Sequence, residues 1–231
     1  MSMEGSPKIF PLGDSCVTVN FGNEISLELN KRAISLASHF SNNPFPGFVE
    51  AVPAYSSIAI FYNIAEVRHN FSEADSAFDA ISGLVNSALR LEDQSLLSGG
   101  RVIEIPVDFG ADAALDIEFV TEHCGISQTE VIERFTAKTY RVYMLGFLPG
   151  FAYMGEVDES IAVPRRGSPR IKVPKGSVGI ASRQTGIYPL ESPGGWQIVG
   201  RTNVEMFSFD RDSPCLLAPG DDVRFVPVAR P

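Results

Sequence analysis

YRVYMLGFLPGFAYMGEVDESIAVPRRGSPRIKVPKGSVGIASRQTGIYPLESPGGWQIVGRT, residues 140–202, is the stretch that decides the fold of the second half of the chain. It contains ten of the 20 glycines, six of the 16 prolines and the single tryptophan, Trp196. Glycine and proline interrupt long helices and favour turns. The stretch therefore predicts short strands that are joined by tight, shaped loops.

The charge of this stretch differs from that of the rest of the chain. Eight Lys/Arg against four Asp/Glu give it a formal charge of +4, whereas 11 basic and 24 acidic residues elsewhere give −13, within a total of −9. A basic, aromatic, glycine-rich segment in an acidic protein predicts a site for a small anion or carboxylate ligand. The same composition also fits an ordinary solvated face of a β-barrel.

Length and overall composition limit the number of domains and the kinds of partner that we expect for this chain. With 231 residues, 44% hydrophobic and 20% charged, the chain can form one large or two small globular domains. The net charge of −9 argues against nucleic acid and against an anionic membrane surface as partners. The three cysteines are widely spaced, and the amino terminus MSMEGSPKIF resembles no signal peptide. We therefore expect reduced thiols and a cytoplasmic location.

The first half alternates strand and helix signals. The pattern predicts a strand at 16–21, a helix from Ser26 to about Phe40 and strands at 48–52 and 58–62. A helix follows after a capping box of Ser72 and Asp75, and the sixth element is a fourth strand at 101–107. The order βαββαβ is typical of an α+β, ferredoxin-like domain. We assign 1–92 to this domain, 93–100 to a linker that ends in two glycines, and 101–231 to a second domain.

Two short helices open the second domain. They are predicted at 115–124 and 127–137, with Gly125 as a C-cap and Ser127 with Glu130 as a capping box. The charge of the second helix argues against a DNA-reading helix–turn–helix, because Glu130 and Glu133 outnumber its single basic residue, Arg134, and would repel phosphate. A closing hairpin is predicted from 216–217 through a turn at 219–221 to 223–226.

The usual motifs of self-sufficient enzymes are missing from the sequence. Lys175-Gly176-Ser177 has the wrong order for a Walker A phosphate loop, and GxGxxG, HExxH and GxSxG do not occur. The three histidines, His39, His69 and His123, are scattered, so no zinc or other metal site is predicted. An enzyme that works alone is hard to build from these residues.

The stretch 140–202 instead offers binding groups in the loops 149–153, 168–174, 183–189 and 192–197. Aromatic walls are predicted from Phe147, Phe151, Tyr153, Tyr188 and Trp196. Donors for an acid ligand are predicted from Arg165, Arg166, Arg170, Lys172 and Arg201, and further polar contacts from Ser177, Gln184 and Thr185. Arg170 and Gln184 are the preferred polar contacts. Each aromatic residue also fits ordinary barrel core, and most of the basic ones fit plain surface charge.

Taken together, several long motifs resemble a known family. They are TYRVYMLGFLPGFAYMG (139–155), VPRRGSPRIKVPKGSVGIASRQTGIYPLESPGGWQIVGRT (163–202), LAPGDDVRFVPV (217–228), PLGDSCVTVNFGNEIS (11–26) and VEAVPAYSSIAIFY (49–62). They resemble the KipI family, also known as the B subunit of 5-oxoprolinase or allophanate hydrolase subunit 1, over nearly the whole chain. The resemblance implies an α/β amino-terminal domain followed by a cyclophilin-like β-barrel.

The resemblance also implies partners. A subunit-C-like protein of the KipA or allophanate hydrolase subunit 2 type and a subunit-A-like protein would complete an ATP-dependent 5-oxoprolinase, which opens 5-oxo-L-proline to L-glutamate. The chain would be inactive alone, and ATP would be a cofactor of the complex. Two alternatives stay open: an inhibitor of a sporulation histidine kinase, and half of a biotin-dependent, urea carboxyltransferase-like complex.

Two positions depart from the family pattern. Asp108 stands where the family has Cys after the EIPV strand, and Phe135 stands where it has His before TYRVYM. His123 in EHCG does match. No catalytic residue is therefore assigned from the resemblance.

Overall fold

The computed structural model describes residues 6–91 and 100–228. The chain divides into two compact units, Met1–Ser98 and Gly99–Pro231. Apart from Gly100, the predicted linker 93–100 lies outside the described residues. None of the described helices is long and apolar enough to cross a membrane.

The first unit is a four-stranded antiparallel sheet with helices. Its elements are β1 Lys8–Pro11, β2 Cys16–Asn20, α1 Leu27–Asn42, β3 Phe48–Pro53, β4 Ser57–Tyr62, α2 Ile64–Asn70 and α3 Ala77–Arg90. The strand order is β1-β2-β4-β3. Because β4 lies between β2 and β3, the connection β2–α1–β3 is a split βαβ unit.

The core of this unit lies on one face of the sheet. Alternate residues of β2 and β4, such as Val17 and Ile60, are fully buried in one cluster with the apolar faces of α1 and α3. Ser26 caps α1, as predicted, by accepting a hydrogen bond from the Leu29 N–H. Asn30 is buried within α1, and its side-chain amide donates to the carbonyl of Ala54 at 2.9 Å.

Two predictions for this unit were wrong. The fourth strand of the sheet is β1, which precedes β2, whereas the segment predicted for that position, 101–107, pairs in the second unit. A short turn joins β1 to β2, so their pairing closes a small loop at low entropic cost. The cap of α3 is Ser76, whose hydroxyl accepts from the Asp79 N–H, so the predicted capping box at Ser72 is four residues too early. The ferredoxin-like assignment stays a prediction.

The second unit is built on a seven-stranded sheet. Its elements are β5 Val102–Val107, α4 Ile117–Cys124, α5 Gln128–Thr136, β6 Thr139–Leu145, β7 Ala152–Gly155, a 3₁₀ turn Glu159–Ile161, β8 Arg170–Val173, β9 Ser177–Ala181, β10 Gln184–Ile187, β11 Ser192–Gly194, β12 Gln197–Arg201 and β13 Asp222–Pro227. The sheet order is β12-β9-β10-β7-β6-β13-β5, and β8 pairs separately with β11. Residues 140–202 thus form short strands and loops, as predicted.

The seven-stranded sheet is a nearly closed barrel. Asp108 and Arg201, at the ends of β5 and β12, exchange two backbone hydrogen bonds of 2.8 and 2.9 Å. Glycine is needed beside this contact, because a Cβ on Gly200 would lie 2.6 Å from the side chain of Val107. The predicted closing hairpin did not form: β13 pairs with β5 and β6, while the N–H of Leu216 bonds to the carbonyl of Met206.

The barrel core is filled from the sheet and from α4 and α5. Phe135 of α5 is stacked on Phe225 with ring centroids 4.9 Å apart, and the Tyr140 hydroxyl donates to the Phe135 carbonyl at 2.7 Å. Gly125 ends α4 in the left-handed conformation at φ 67°, and Ser127 with Glu130 forms the capping box of α5. These caps confirm the predicted pair of short helices.

Candidate functional site

Five aromatic side chains from residues 140–202 form one group, which we call the aromatic cluster: Phe147, Phe151, Tyr153, Tyr188 and Trp196. Phe151 is at its centre. Its ring centroid lies 5.4 Å from that of Phe147, 4.9 Å from Tyr153, 5.4 Å from Tyr188 and 5.5 Å from Trp196. All four contacts are edge-to-face, the geometry that aromatic quadrupoles favour.

The cluster lies on the outer face of the barrel sheet. Val178 and Ile180 of β9 belong to the barrel core, whereas Ala181 belongs to the hydrophobic cluster around Phe151 and Trp196. Because successive residues of a strand point to opposite faces, the odd-numbered residues of β9 face outward.

Glycines on these strands let the rings lie against the sheet. A Cβ on Gly186 of β10 would lie 2.9 Å from Cζ of Phe151. A Cβ on Gly179 of β9 would lie 3.0 Å from Cβ of Trp196. The local sequence thus places rings where the strands carry no side chain.

Access to the cluster is uneven. Phe151, Tyr188 and Trp196 are buried, whereas Phe147 is 59% exposed. Phe147 also has a positive φ of 70°, which is uncommon for a bulky residue, and it lies in the turn that Gly150 closes at φ 82°. A ligand would meet Phe147 first, while the three buried rings also serve as packing.

The predicted polar contacts do not all lie on this face. Gln184 is half-buried and pairs with Gly155 and Ala181. Thr185 is fully buried, and its hydroxyl donates to the carbonyl of Gly179 at 3.0 Å. Since Thr185 alternates with Gln184 and shares its face with core residue Ile187, it points toward the barrel interior. Gln184 therefore shares the outer face with the aromatic cluster, and Thr185 does not.

Three of the predicted polar contacts, Ser177, Lys172 and Arg201, have other surroundings in the structure. The Ser177 hydroxyl is buried and has no hydrogen-bond partner among the described residues. Lys172 is exposed and forms an ion pair with Glu191 at 3.1 Å. Arg201 is exposed at the end of β12 and opposite Ser177.

Two arginines share one buried carboxylate, that of Asp116. Arg166 Nη1 donates to Asp116 Oδ1 at 2.6 Å, while Arg170 Nη1 and Nη2 donate to Oδ2 and Oδ1 at 2.6 and 2.7 Å. The pairing of Arg170 is bidentate, the arrangement predicted for a ligand carboxylate, but here the acid belongs to the chain itself. Arg165 lies differently: its Cζ is 6.0 Å from the Trp196 ring centroid.

Asp116 also completes the edge of the barrel. Its N–H donates to the Ile198 carbonyl at 2.8 Å, and its carboxylate accepts from the Ile198 N–H at 2.7 Å. Asp116, which directly precedes α4, thus provides hydrogen-bond partners for both the N–H and the carbonyl of Ile198 in β12. Sequence reasoning missed Asp116. The signal that could have found it is the excess of basic residues, because partly buried arginines require a buried counter-charge.

Tyr188 lies within the electrostatic field of the nearby arginines. Burial raises the pKa of its phenol, while a hydrogen bond with the Trp196 backbone and the positive charges of Arg165 and Arg170 act in the opposite direction. The phenol therefore stays protonated at neutral pH and can donate a hydrogen bond.

The two departures from the family pattern have structural roles. Asp108 Oδ1 accepts from the Gly110 N–H at 2.8 Å, next to the backbone contact that closes the barrel. Phe135 is 1% exposed within the barrel core. His123, which matches the pattern, stacks on Phe119 at 5.7 Å. Packing is the role that the structure gives Phe135.

The described residues offer no metal site, and the segment around Lys175 offers no phosphate loop. Within residues 6–91 and 100–228, no group of three or more His, Cys, Asp or Glu lies close enough to hold a metal ion. Lys175 pairs with Glu205 at 3.4 Å. Gly176 packs against the backbone of Thr202, where a Cβ would lie 2.0 Å from the carbonyl oxygen. Lys175 and Gly176 therefore form a packed turn between β8 and β9.

Comparison with known proteins identifies the family. Residues 7–217 match the family model described as the carboxyltransferase domain, subdomain C and D. The B subunit of 5-oxoprolinase from Bacillus subtilis (strain 168) is 40% identical over 223 residues, covering 96% of this chain and 93% of that protein. The chain belongs to the family of 5-oxoprolinase B subunits. The family resemblance of the sequence motifs is thereby confirmed.

Two further relatives of this chain are longer proteins. The crystal structure of TTHA0988 superposes with a TM-score of 0.79 at 36% identity, covering 94% of this chain and 40% of that one. The urea amidolyase of Saccharomyces cerevisiae is 27% identical over 252 residues, covering 98% of this chain and 14% of that protein. The fold of this family thus also occurs as part of larger polypeptides.

Proposed function

We propose that the chain is a non-autonomous, cytoplasmic subunit of an ATP-dependent 5-oxoprolinase. The complex of this chain with a subunit-A-like protein and a subunit-C-like protein of the KipA type would open 5-oxo-L-proline to L-glutamate. The observation that carries the proposal is the 40% identity with a 5-oxoprolinase B subunit over 96% of this chain. We also propose that the nearly closed barrel is cyclophilin-like.

The aromatic cluster supports a binding role for the subunit. 5-Oxo-L-proline combines a small ring, whose apolar faces can pack against the exposed Phe147, with a carboxylate that a guanidinium can bind. The lactam is a stable amide, so its opening needs a driving reaction, which ATP hydrolysis would supply in the complex. Since the sequence has no Walker A motif, we assign ATP binding to a partner subunit and ligand orientation to this chain.

Reconstitution tests this proposal. The three purified subunits are mixed with ATP, Mg²⁺ and 5-oxo-L-proline, and glutamate and ADP are measured together. We expect glutamate from the complete mixture and a loss to background when this chain is left out. A complex that assembles, as judged by gel filtration, yet releases no glutamate would contradict the proposal.

A second candidate is half of a biotin-dependent carboxyltransferase. The description of the matched family model and the similarity to a urea amidolyase favour it. It predicts carboxylation of urea when this chain and its subunit-C-like partner are supplied with a carboxylated biotin carrier. Transfer of labelled carbon dioxide to urea, with no glutamate from 5-oxo-L-proline, would select this candidate.

Inhibition of a sporulation-type histidine kinase is the remaining alternative. It predicts that the chain alone lowers autophosphorylation of a cognate kinase. An undiminished rate at saturating concentrations of the chain would remove it.

A further inference from the structure

The three arginines of the segment RRGSPR, residues 165–170, have different partners. Arg166 and Arg170 bind the carboxylate of Asp116, whose side chain is 3% exposed. Arg165 is exposed, and no ion pair within the described part of the chain involves it. Two guanidinium groups on one carboxylate leave one positive charge in excess, and Arg165 adds a second. The rim of the aromatic cluster is therefore cationic, with Arg165 open to an anion.

Arg165 is placed over the aromatic cluster. The 6.0 Å between its Cζ and the Trp196 ring centroid is the outer limit of a cation–π contact. Its positive charge also opposes the burial-driven rise in the pKa of the Tyr188 phenol. A planar guanidinium held beside Trp196 can pair with a carboxylate while the body of the ligand packs on the exposed ring of Phe147.

Asp116 fixes the chain on both sides of this contact. Arg166, the residue next to Arg165, is held by its side chain to Asp116 and by its N–H to the Gly195 carbonyl at 2.8 Å. On the other side, Ile198 lies two residues after Trp196 and is bonded to Asp116 through both backbone groups. The distance from Arg165 to Trp196 therefore depends on Asp116.

We propose that Arg165 is the carboxylate-binding residue of the aromatic cluster and that Asp116 is the positioning residue that holds it over Trp196. The ligand class is a small ring carboxylate, and naming 5-oxo-L-proline as that ligand rests on the proposed function. Arg170, the residue preferred from the sequence, is a poorer choice. Both of its Nη atoms are bound to Asp116 at 2.6 and 2.7 Å, and a ligand would have to displace a buried carboxylate.

Trp196 is the only tryptophan in the chain, so its fluorescence reports on this contact. The isolated full chain is compared with the variants Arg165→Gln, Asp116→Asn and, as a control, Arg224→Gln. Arg224 is exposed on β13 and pairs loosely with Glu104 at 3.8 Å. We expect Arg165→Gln to shift the Trp196 emission, Asp116→Asn to produce a similar shift, and Arg224→Gln to leave it unchanged.

Binding is measured in two ways. In the isolated chain, 5-oxo-L-proline should change the Trp196 emission saturably, whereas pyrrolidin-2-one, the same lactam without the carboxylate, should not. In the reconstituted complex, Arg165→Gln should raise the KM for 5-oxo-L-proline about ten- to a hundredfold with little change in kcat. Arg165→Lys, which keeps the charge, should recover part of that loss.

Each outcome decides the inference. If the parental complex is active and Arg165→Gln has the parental KM, Arg165 does not bind the carboxylate, and the proposed function still stands. If the parental complex is inactive, the proposed function fails, and the fluorescence of the isolated chain tests the inference. The inference is overturned if 5-oxo-L-proline changes the Trp196 emission of Arg165→Gln as much as that of the parental chain. It is also overturned if 5-oxo-L-proline changes the emission of neither protein. If Asp116→Asn folds and has the same Trp196 emission as the parental chain, Asp116 does not position Arg165. If that variant does not fold, Arg166→Gln takes its place.

Discussion

Replacing Asp116 with asparagine should destabilise the second unit strongly. The carboxylate accepts four hydrogen bonds of 2.6 to 2.7 Å, three from guanidinium groups and one from the Ile198 N–H. Asparagine keeps the shape but removes the charge and one acceptor oxygen. Breaking a buried ion pair costs about 3–5 kcal/mol. Because the side chains of Arg166 and Arg170 are 33% and 22% exposed, water screens part of this loss. We therefore expect a cost of about 2–4 kcal/mol.

The assay is urea unfolding of the full chain followed by Trp196 fluorescence, which reports on the second unit alone. With a slope of about 2 kcal/mol per molar urea, the midpoint should fall by about 1–2 M. Glu104→Gln is the matched control, because it removes an exposed carboxylate whose ion pair with Arg224 spans 3.8 Å. Equal midpoints for Asp116→Asn and the control would refute the reasoning.

Two further changes test the packing and the pH dependence of the second unit. Gly186→Ala should cost about 1–3 kcal/mol, since the new methyl would lie 2.9 Å from the Ala152 carbonyl and the Phe151 ring, whereas Gly167→Ala, with nothing within 4 Å, should leave the urea midpoint nearly unchanged. Similar midpoints for both would contradict the packing. Hydrogen bonds from Ser127 lower the pKa of Glu130, so its stabilisation is present above the ordinary value of 4.5 and is lost as the pH falls through the folded-state pKa. Melting temperatures of Glu130→Gln should thus lie below the parental ones at pH 7 and converge with them in acid, and a constant difference would contradict this.

The sequence predicted which aromatic residues form the cluster and that they lie in the second unit. Residues 140–202 carry the rings next to glycines, and short strands must bring such loops together. Gly186 and Gly179 show why the pattern was informative, because their missing side chains make room for Phe151 and Trp196. Whether the cluster binds a substrate remains a prediction that no composition could decide.

The role of Asp116 was not predictable from its neighbours. It is separated from Arg166 by 50 residues and from Arg170 by 54, and the pairing depends on how the start of α4 is bonded to β12 at the edge of the barrel. Sequence distance of this kind leaves no periodic signal. Arg170 was predicted as a contact for a ligand carboxylate, whereas in the structure both of its Nη atoms bind Asp116, so its role toward a ligand stays a prediction.

The pairing of some strands was also not predictable from the sequence. The segment 102–107 is apolar enough for either unit, and its parallel pairing with β13 joins residues 120 positions apart, such as Val102 and Asp222. By contrast, the caps at Ser26, Gly125 and Ser127 were predictable, because each depends on residues within four positions.

The most direct test of the account is the effect of Phe147→Ala on glutamate release by the reconstituted complex. Phe147 is 59% exposed, so its loss should not unfold the barrel, and Leu12→Ala, at 56% exposure in the first unit, is the matched control. Removing the accessible wall of the aromatic cluster should lower kcat/KM for 5-oxo-L-proline about tenfold, the equivalent of roughly 1.4 kcal/mol of lost apolar contact. Leu12→Ala should retain the parental rate. Equal kcat/KM values for Phe147→Ala and the parent, in complexes that assemble equally, would contradict the claim that the outer aromatic cluster is the functional site of this protein.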